Sequence, residues 1–413
     1  MSAQKFEATF VGLDIGTSKV VCVVGLHQQD QATPSIIGIG SSPVTGLKRG
    51  VVTDVEETVS AITAALEEAE RMSGVAIDRA TINIDGSHLQ SLNTSGVVAV
   101  ARADHEIAVE DLARVETVAS SISLESNRQI ISVIPKSYNV DDHKNVADPV
   151  GMNGIKLELD AHIITASVPA VKNLSNAVFR SGIVINQQIV TPIAAAKALL
   201  TNQQKDLGCA LVHFGSETTG IVVYESGLIS YTGVIPLGSN HITKDLVYGL
   251  RTTPEVAEKL KTEYGVAAKP KGKTNQKIDL EQFGAAGNVY QSDIDTIVSS
   301  RLDEIFGMVH DELHKVSKPN STLGAGIILT GGGANMTEIT HYSRGILNMP
   351  VHLGRTTGYS GISEKITDPS YATVIGLMLA DMEAPQTPSK NRLFKIIGPI
   401  GSKIKTVLKG LIP

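Results

Sequence analysis

Short apolar runs rich in β-branched residues recur along the first part of the chain, as is typical of buried strands. The runs at 10–11 and 20–24 flank a polar, glycine-bearing turn and predict a β-hairpin. Two further runs, at 35–40 and 80–84, continue the strand pattern. The chain is therefore expected to begin with a sheet.

Segments with helical periodicity lie between the strands. The first spans 54–72, where Asp54 can cap the amino end and Gly74 follows the carboxyl end. Other helices are predicted over 109–122, 168–181, 191–199, 241–264 with an interruption at 252–254, 292–316 and 371–382. This alternation of strands and helices predicts the α/β class.

The opening pattern returns halfway along the chain. A strand at 209–214 is followed by a turn at 215–220 and another strand at 221–224. Two strand–turn–strand units, each starting one half of the chain, indicate an internal duplication. The pattern of predicted elements differs between 85 and 164, because short strands there surround one helix. This pattern predicts an α+β insertion.

Composition narrows the range of functions. With 413 residues the chain is too long for one core, so two or more domains are expected. Aromatic residues make up 4% and Trp is absent, which argues against stacking platforms for single-stranded nucleic acid. The net charge of −6 gives no general attraction to nucleic acid or membranes. Cys22 and Cys209 lie in apolar runs and are expected to be buried thiols.

The amino-terminal residues lack a signal-peptide pattern, and no apolar run reaches the roughly 20 residues that span a bilayer. A cytoplasmic protein is therefore expected, and any membrane affinity must be local.

That local affinity is predicted in the tail, 390–413. Apolar residues recur there on one helical face, the charges are all positive, and a Pro-bearing linker at 384–389 precedes it. The pattern predicts an interfacial helix on anionic lipid, kinked near Pro399; a core-docking or partner-binding helix is the alternative. The predicted membrane residues are Leu393, Phe394, Ile397, Ile400, Ile404, Leu408, Lys395, Lys403, Lys405 and Lys409.

The first turn offers chemistry suited to a phosphate. Its glycines permit close backbone approach, its amides can cradle an anion, and Lys19 can neutralise charge. The carboxylate of Asp14 can lie beside a phosphate only if a cation lies between the two anions, which suggests Mg²⁺ held through water. The predicted contacts of this turn are Gly12, Asp14, Gly16, Thr17, Ser18 and Lys19. The alternative is an ordinary hairpin with an Asx turn.

Two later glycine-bearing turns, at 215–220 and 331–333, resemble the first turn. The candidate residues there are Gly215, Thr218, Thr219, Gly331, Gly332 and Gly333. Three glycine-bearing turns that each leave a strand can converge on one nucleotide, although the run at 331–333 could merely end a strand.

These motifs together resemble the actin/DnaK-type ATPase superfamily and, more closely, its FtsA family of bacterial division proteins. Positions 12–19, 215–220 and 327–334 resemble the two phosphate motifs and the adenosine motif, and 191–196 and 371–377 resemble the connecting helices. Glu258 and Lys261 resemble residues that border adenine and ribose; a surface ion pair is the alternative.

The resemblance implies an α/β, actin-like two-lobed fold with duplicated mixed sheets, an α+β insertion in the first lobe and a C-terminal amphipathic tail. The implied division is 1–84 with 165–190 for the first lobe core, 85–164 for the FtsA-type insertion, 191–238 with 320–383 for the second lobe core, 239–319 for its outer subdomain, 384–389 for the linker and 390–413 for the membrane-targeting segment.

One departure from the superfamily pattern limits the expected activity. The acid that usually opens the second phosphate motif is His213 here, and Glu217 adds a negative charge nearby. Because Mg²⁺ prefers oxygen ligands, nucleotide binding is expected to survive better than hydrolysis, with at most a weak ATPase.

By resemblance, the protein binds ATP or ADP with Mg²⁺, polymerises on the inner face of the cytoplasmic membrane and anchors the FtsZ ring at the division septum. The implied partners are the FtsZ C-terminal peptide, other copies of itself, anionic lipids and later division proteins through 85–164, with no nucleic acid. The alternatives are a PilM-like pilus-assembly protein, which would lack the basic tail, and a small-molecule kinase on the same fold.

Overall fold

The computed structural model describes residues 8–27, 33–269, 276–316, 323–362 and 364–384. Its strands are β1 (Ala8–Ile15), β2 (Lys19–His27), β3 (Ser35–Pro43), β4 (Leu47–Lys48), β5 (Val51–Val52), β6 (Arg79–Ile84), β7 (Gln90–Ala99), β8 (Arg128–Val140), β9 (His143–Val146), β10 (Lys156–Ser167), β11 (Val184–Val190), β12 (Cys209–Phe214), β13 (Thr219–Glu225), β14 (Leu228–Ile235), β15 (Lys277–Asp279), β16 (Asn288–Tyr290), β17 (Ile327–Thr330), β18 (Val351–Leu353) and β19 (Ser360–Gly361).

The α-helices are α1 (Val55–Ser73), α2 (Val109–Ser120), α3 (Val168–Arg180), α4 (Thr191–Leu199), α5 (Asn202–Leu207), α6 (Ser239–Leu250), α7 (Pro254–Tyr264), α8 (Gln291–Val316), α9 (Ile339–Leu347) and α10 (Ala372–Glu383). Short 3-10 turns lie at Leu280–Phe283, Gly332–Asn335, Lys365–Thr367 and Pro369–Tyr371.

Two mixed sheets share one topology. In the first, β3, β2 and β1 are antiparallel and β1, β6 and β11 are parallel. In the second, β14, β13 and β12 are antiparallel and β12, β17 and β18 are parallel. The predicted duplication and the predicted fold class are therefore confirmed. The first sheet gains β19 in parallel beside β3, so a late segment of the chain returns to the first lobe.

Local sequence signals account for the helix boundaries. The carboxylate of Asp54 accepts a hydrogen bond from the Glu57 amide at 3.1 Å, and Gly74 ends α1 with φ +70°. The predicted interruption at 252–254 separates α6 from α7, where the Thr253 hydroxyl caps the second helix. Helices α5 and α9 were not predicted.

Two helices cross between the sheets at very short range. A Cβ on Gly376 of α10 would lie 1.7 Å from the Ala194 carbonyl oxygen of α4, and one on Gly12 of β1 would lie 2.3 Å from the Val374 carbonyl oxygen. Only glycine allows backbones to approach this closely. Helix α10 therefore packs directly on both α4 and the first sheet.

A buried acid fixes the carboxyl end of α10 on the first sheet. The Asp381 carboxylate accepts hydrogen bonds from the Val11 amide at 3.0 Å, the Thr81 hydroxyl at 2.8 Å and the Asn186 side-chain amide at 2.8 Å. These donors come from β1, β6 and β11. One side chain thus ties the second connecting helix to three strands.

The insertion has its own sheet, in the order β7-β10-β8-β9, with α2 packed on one face. Its strands are longer than the sequence predicted. His162 of this sheet is fully buried, with Nδ1 2.9 Å from the Asn93 side-chain oxygen and Nε2 3.1 Å from the Thr232 hydroxyl of β14. Burial, with a smaller contribution from Lys136, lowers the pKa of His162 to about 4, so the ring is a neutral link between the insertion and the second sheet.

The tail predictions lie outside the described residues. These are Leu393, Phe394, Ile397, Ile400, Ile404, Leu408, Lys395, Lys403, Lys405 and Lys409, together with 385–389 of the linker. Across the ranges that are described, none of the helices combines the length and apolarity needed to cross a membrane. The boundaries of the lobes and subdomains stay a prediction.

Candidate functional site

The first two glycine turns have the same geometry. The Gly16 amide donates to the Lys19 carbonyl at 3.1 Å, and the Gly215 amide donates to the Thr218 carbonyl at 2.9 Å. A Cβ on either glycine would lie 2.9 Å from that same carbonyl oxygen. The two turns are therefore equivalent parts of the duplicated sheets.

The third glycine run packs against the second turn. Gly331 has φ +90°, and a Cβ there would lie 2.6 Å from the Phe214 carbonyl oxygen. A Cβ on Gly333 would lie 2.5 Å from the Phe214 ring. Gly332 is exposed, and its Cβ would meet only Ser370 at 3.9 Å. Of the three glycines, Gly332 is the one open to a ligand.

Lys19 connects the first turn with the third. Its Nζ lies 3.0 Å from the Ser370 hydroxyl and 4.6 Å from the centre of the Tyr371 ring. The Gly331 amide donates to the carbonyl of the neighbouring Pro369 at 3.2 Å. The three turns that the sequence predicted to converge thus meet at one place between the lobes.

Two carboxylates face this place. Burial raises the pKa of Asp14 from its usual value near 3.8 to about 7; Lys19 opposes the change and Asp85 adds to it. Asp14 is surrounded by protein but still reaches solvent in part. Asp85 follows β6 and accepts a hydrogen bond from the Thr218 hydroxyl at 2.7 Å.

Asp85 was missed by the sequence reasoning, which placed it at the edge of the insertion. A usable signal was present, because Asp85 directly follows a buried strand that lies parallel to β1. Polar residues at the carboxyl ends of parallel strands gather at one edge of a sheet.

His213 lies near Asp85. Burial lowers the pKa of His213, although Asp85 acts in the opposite direction, and the ring is therefore neutral at pH 7. Its Nδ1 is buried and has no hydrogen-bond partner among the described residues. The ring can accept a hydrogen bond there, but it brings no anionic oxygen for Mg²⁺.

Glu217 points away from the turn and is held by three donors. Its carboxylate accepts from the Lys244 ammonium at 2.6 Å, the Arg49 amide at 2.9 Å and the Asn240 side-chain amide at 3.3 Å. Burial alone would raise the pKa of Glu217, but these donors outweigh it and the pKa lies below its usual value. The negative charge is thus fixed and compensated.

Several residues that were predicted to contact phosphate lie in other contacts within the protein. Gly12 packs on α10, and the buried Thr219 hydroxyl donates to the Leu237 carbonyl at 2.8 Å. Thr17 is half-buried, Ser18 is exposed, and the Ser18 carbonyl accepts from the Val44 amide at 3.1 Å. Packing and backbone pairing explain Gly12 and Thr219, and their contact with phosphate stays a prediction.

Glu258 and Lys261 form the ion pair that the sequence analysis gave as the alternative to a contact with adenine and ribose. The Lys261 ammonium lies 2.7 Å from the Glu258 carboxylate and 2.9 Å from the Thr243 hydroxyl, which itself donates to Glu258 at 2.6 Å. This cluster joins α6 to α7. Whether it borders an adenine stays a prediction.

The arrangement fits a phosphate with a cation better than a closed metal centre. Within the described ranges, no three His, Cys, Asp or Glu side chains are placed to hold a metal ion. The site instead combines a lysine, backbone amides of two tight turns and the carboxylates of Asp14 and Asp85, which suit a phosphate and a hydrated Mg²⁺.

The raised pKa of Asp14 predicts a pH effect on stability. The folded protein keeps this proton at pH values where the unfolded chain has lost it. The contribution is therefore fully present below about pH 4 and is lost as the pH rises through about 7. Between pH 5 and pH 8, wild type should lose more stability than Asp14→Asn, by on the order of 2 kcal/mol.

Urea unfolding of both proteins at the two pH values measures this difference. Groups that do not interact with Asp14 contribute equally in wild type and variant, so the difference between the two proteins reports on Asp14. Equal changes in the two proteins would contradict the assignment.

Two family models match the chain. The model described as cell division protein FtsA matches residues 210–376, and the SHS2 domain inserted in FtsA matches residues 86–165. The chain is 38% identical to the cell division protein FtsA of Neisseria meningitidis serogroup B, over 89% of this chain and 89% of that protein. It is 36% identical to FtsA of Bacillus subtilis, over 89% of this chain and 82% of that protein.

Solved structures with the same fold are more distant in sequence. The PilM–PilN type IV pilus biogenesis complex aligns with a TM-score of 0.65 at 16% identity, covering 90% of this chain and 98% of that one. MreB5 of Spiroplasma citri bound to ADP aligns with a TM-score of 0.53 at 16% identity, covering 91% and 97%. These likenesses show the actin-like fold alone, whereas the sequence relatives identify the family. The chain belongs to the FtsA family of actin-like cell division proteins.

Proposed function

We propose that this protein binds ATP or ADP with Mg²⁺ between its lobes, polymerises on the inner face of the cytoplasmic membrane and anchors the FtsZ ring at the division septum. The observation that carries the nucleotide part is the meeting of three glycine-bearing turns with Lys19. Backbone amides and a lysine at one place form a typical phosphate site.

Each group in the site has a role in this proposal. Lys19 and the amides of the turns at Gly16 and Gly215 bind phosphate oxygens, and Gly332 allows the ligand to approach the backbone. Asp14 holds Mg²⁺ through water, and the ion offsets phosphate charge. Glu258 and Lys261 border the adenosine.

Hydrolysis is proposed to be weak at most. A neutral His213 replaces an acid, and its free Nδ1 can orient a water but cannot supply a charged oxygen ligand. Nucleotide binding is supported by the likeness to MreB5, which has been solved with ADP and, in a second structure of TM-score 0.52 and 15% identity, with AMPPNP. Self-assembly is supported by a further structure of the same fold, the MamK double helical filament, which aligns with a TM-score of 0.50 at 10% identity.

The FtsZ C-terminal peptide is proposed to bind the outer subdomain, 239–319. A groove of about 450 Å³ lies there, lined among others by Arg251, Thr252, Leu280 and Val289. The Thr252 hydroxyl is buried and has no hydrogen-bond partner among the described residues, so an incoming peptide group can supply one. The insertion is proposed to recruit later division proteins, and the tail to bind anionic lipids.

Calorimetry of the purified protein with ATP and ADP, with and without Mg²⁺, tests the nucleotide proposal. Lys19→Ala should weaken binding roughly 10- to 100-fold, because a charge-assisted bond to phosphate is lost. Asp14→Ala should weaken binding chiefly when Mg²⁺ is present.

Lys205→Ala is the matched control, because Lys205 also lies over an aromatic ring, that of Tyr224, but outside the cleft. It should bind as wild type does. Unchanged affinity in both cleft variants would mean that the cleft does not bind nucleotide.

A further inference from the structure

The second glycine turn reaches across the cleft with two consecutive side chains. Thr218 donates its hydroxyl to the Asp85 carboxylate at 2.7 Å, and Glu217 accepts the Arg49 amide at 2.9 Å. Arg49 lies between β4 and β5, which contribute Leu47 and Val52 to the core of the first sheet. Asp85 follows β6 of that sheet, whereas the turn belongs to the second sheet. Two charge-assisted hydrogen bonds therefore join the lobes next to the proposed phosphate site.

The first-lobe side of this contact is a rigid surface. Arg49 has φ +50° and Gly50 has φ +78°, as a tight turn between β4 and β5 requires. A Cβ on Gly50 would lie 2.7 Å from the Asp85 carbonyl carbon, and one on Gly86 would lie 3.0 Å from the Arg49 carbonyl oxygen. The two loops that carry Arg49 and Asp85 are thus packed backbone to backbone.

We propose that Glu217 and Thr218 form a latch onto Arg49 and Asp85, and that phosphate binding competes with the latch for the hydroxyl of Thr218. This inference rests on the proposed nucleotide site. A single hydroxyl hydrogen cannot serve both Asp85 and a phosphate oxygen, so Thr218 must leave Asp85 to take part in binding. Because Glu217 is adjacent in a four-residue turn, the same movement strains its bond to Arg49.

The latch also has a route to the outer subdomain. The Ser239 amide donates to the Gly215 carbonyl at 2.9 Å, and the Asn240 amide donates to the Ser216 carbonyl at 2.7 Å. Asn240 and Lys244, both on α6, hold the other side of the Glu217 carboxylate. Movement of the turn is therefore passed directly to the first helix of the proposed peptide-binding subdomain.

Hydrogen–deuterium exchange at the Arg49 amide of the full-length protein tests the latch. Without nucleotide, Glu217→Ala should speed this exchange roughly 10-fold or more, because the carboxylate acceptor is lost. Glu217→Gln is the matched control, since its one side-chain oxygen can still accept the Arg49 amide, although the charge and the acceptor for Asn240 and Lys244 are lost. Its exchange should stay close to that of wild type. Equal exchange in Glu217→Ala and wild type would overturn the latch.

Competition is tested by calorimetry with ADP and without added Mg²⁺. Asp85→Ala removes the acceptor of the latch, and Asp85→Asn loses the same negative charge but keeps an oxygen that can accept the Thr218 hydroxyl. ADP should therefore bind about 10-fold more tightly to Asp85→Ala than to Asp85→Asn. Saturating ADP should also speed Arg49 exchange in wild type. ADP binding to Asp85→Ala that is no tighter than binding to Asp85→Asn would overturn the competition, as would unchanged exchange in ADP-saturated wild type.

The two proposals fail in different ways. If wild type binds no ADP, the nucleotide site is wrong, whereas the effect of Glu217→Ala on Arg49 exchange still decides whether the latch exists.

Discussion

Deleting residues 390–413 is expected to abolish binding to vesicles of anionic lipid. The deleted segment carries six basic residues and no acidic one, in a chain whose net charge is −6. Each basic residue near an anionic surface contributes about 1 kcal/mol. The electrostatic part of the loss is therefore on the order of 6 kcal/mol, or about 10⁴-fold in affinity, before the apolar face is counted.

Co-sedimentation with vesicles of mixed anionic and neutral lipid measures this effect. Replacing Lys403, Lys405 and Lys409 by Gln should weaken binding by about 100-fold, and replacing them by Arg should preserve it, because only the first change removes charge. Neutral vesicles give the apolar contribution alone. If the truncated protein sediments with anionic vesicles as wild type does, the tail is not the membrane anchor.

In the proposed polymer, self-assembly would multiply the contribution of the tail. A polymer that presents many tails to one membrane binds with avidity, because each later tail binds at a high effective concentration. Weak individual tails therefore suffice for a stably attached polymer, and release of single subunits stays fast.

The sheets could be predicted from the sequence because local patterns determine them. β-branched runs on both sides of glycine turns recur at 12–19 and 215–220, and the same topology follows in each half. Helix ends were also predictable, since Asp54 and Gly74 act through bonds within one turn of the helix. These signals need no knowledge of the rest of the chain.

Long-range pairing could not be predicted in this way. Strand β19 has two residues and lies beside β3, about 325 residues earlier in the chain. Asp381 binds three strands that come together only in the folded sheet. The role of Asp85 could not be predicted for the same reason, because it depends on a contact with the distant turn at Thr218 and not on neighbouring residues in the sequence.

The direction of the Glu217 side chain in the site could not be predicted from the sequence either. From the sequence, its charge near the phosphate position was expected to oppose binding unless the side chain pointed outward. The structure directs the carboxylate to Arg49, Asn240 and Lys244, and thereby turns an unfavourable charge into a contact between lobes. The sequence identified the charge of Glu217 correctly. The direction of its side chain depends on α6, which lies more than twenty residues later in the chain.

Gly376→Ala is expected to destabilise the protein strongly. The added methyl group would lie 1.7 Å from the Ala194 carbonyl oxygen. The methyl carbon is fixed to the backbone of α10 and the oxygen belongs to the backbone of α4, so neither can turn aside. Helices α4 and α10 must therefore separate. Overpacking of this kind costs about 3 kcal/mol or more, against a total stability of roughly 5–15 kcal/mol for a domain.

Urea unfolding gives the measurement, and Gly307→Ala in α8 is the matched control. A Cβ on Gly307 meets no atom within 4 Å, so the same substitution there should be neutral or stabilise by about 0.5–1 kcal/mol through helix propensity. A folded but weakened Gly376→Ala protein should also bind nucleotide less tightly, because α10 packs on Gly12 beside the first turn. Equal unfolding midpoints for the two variants would contradict the close crossing of α4 and α10.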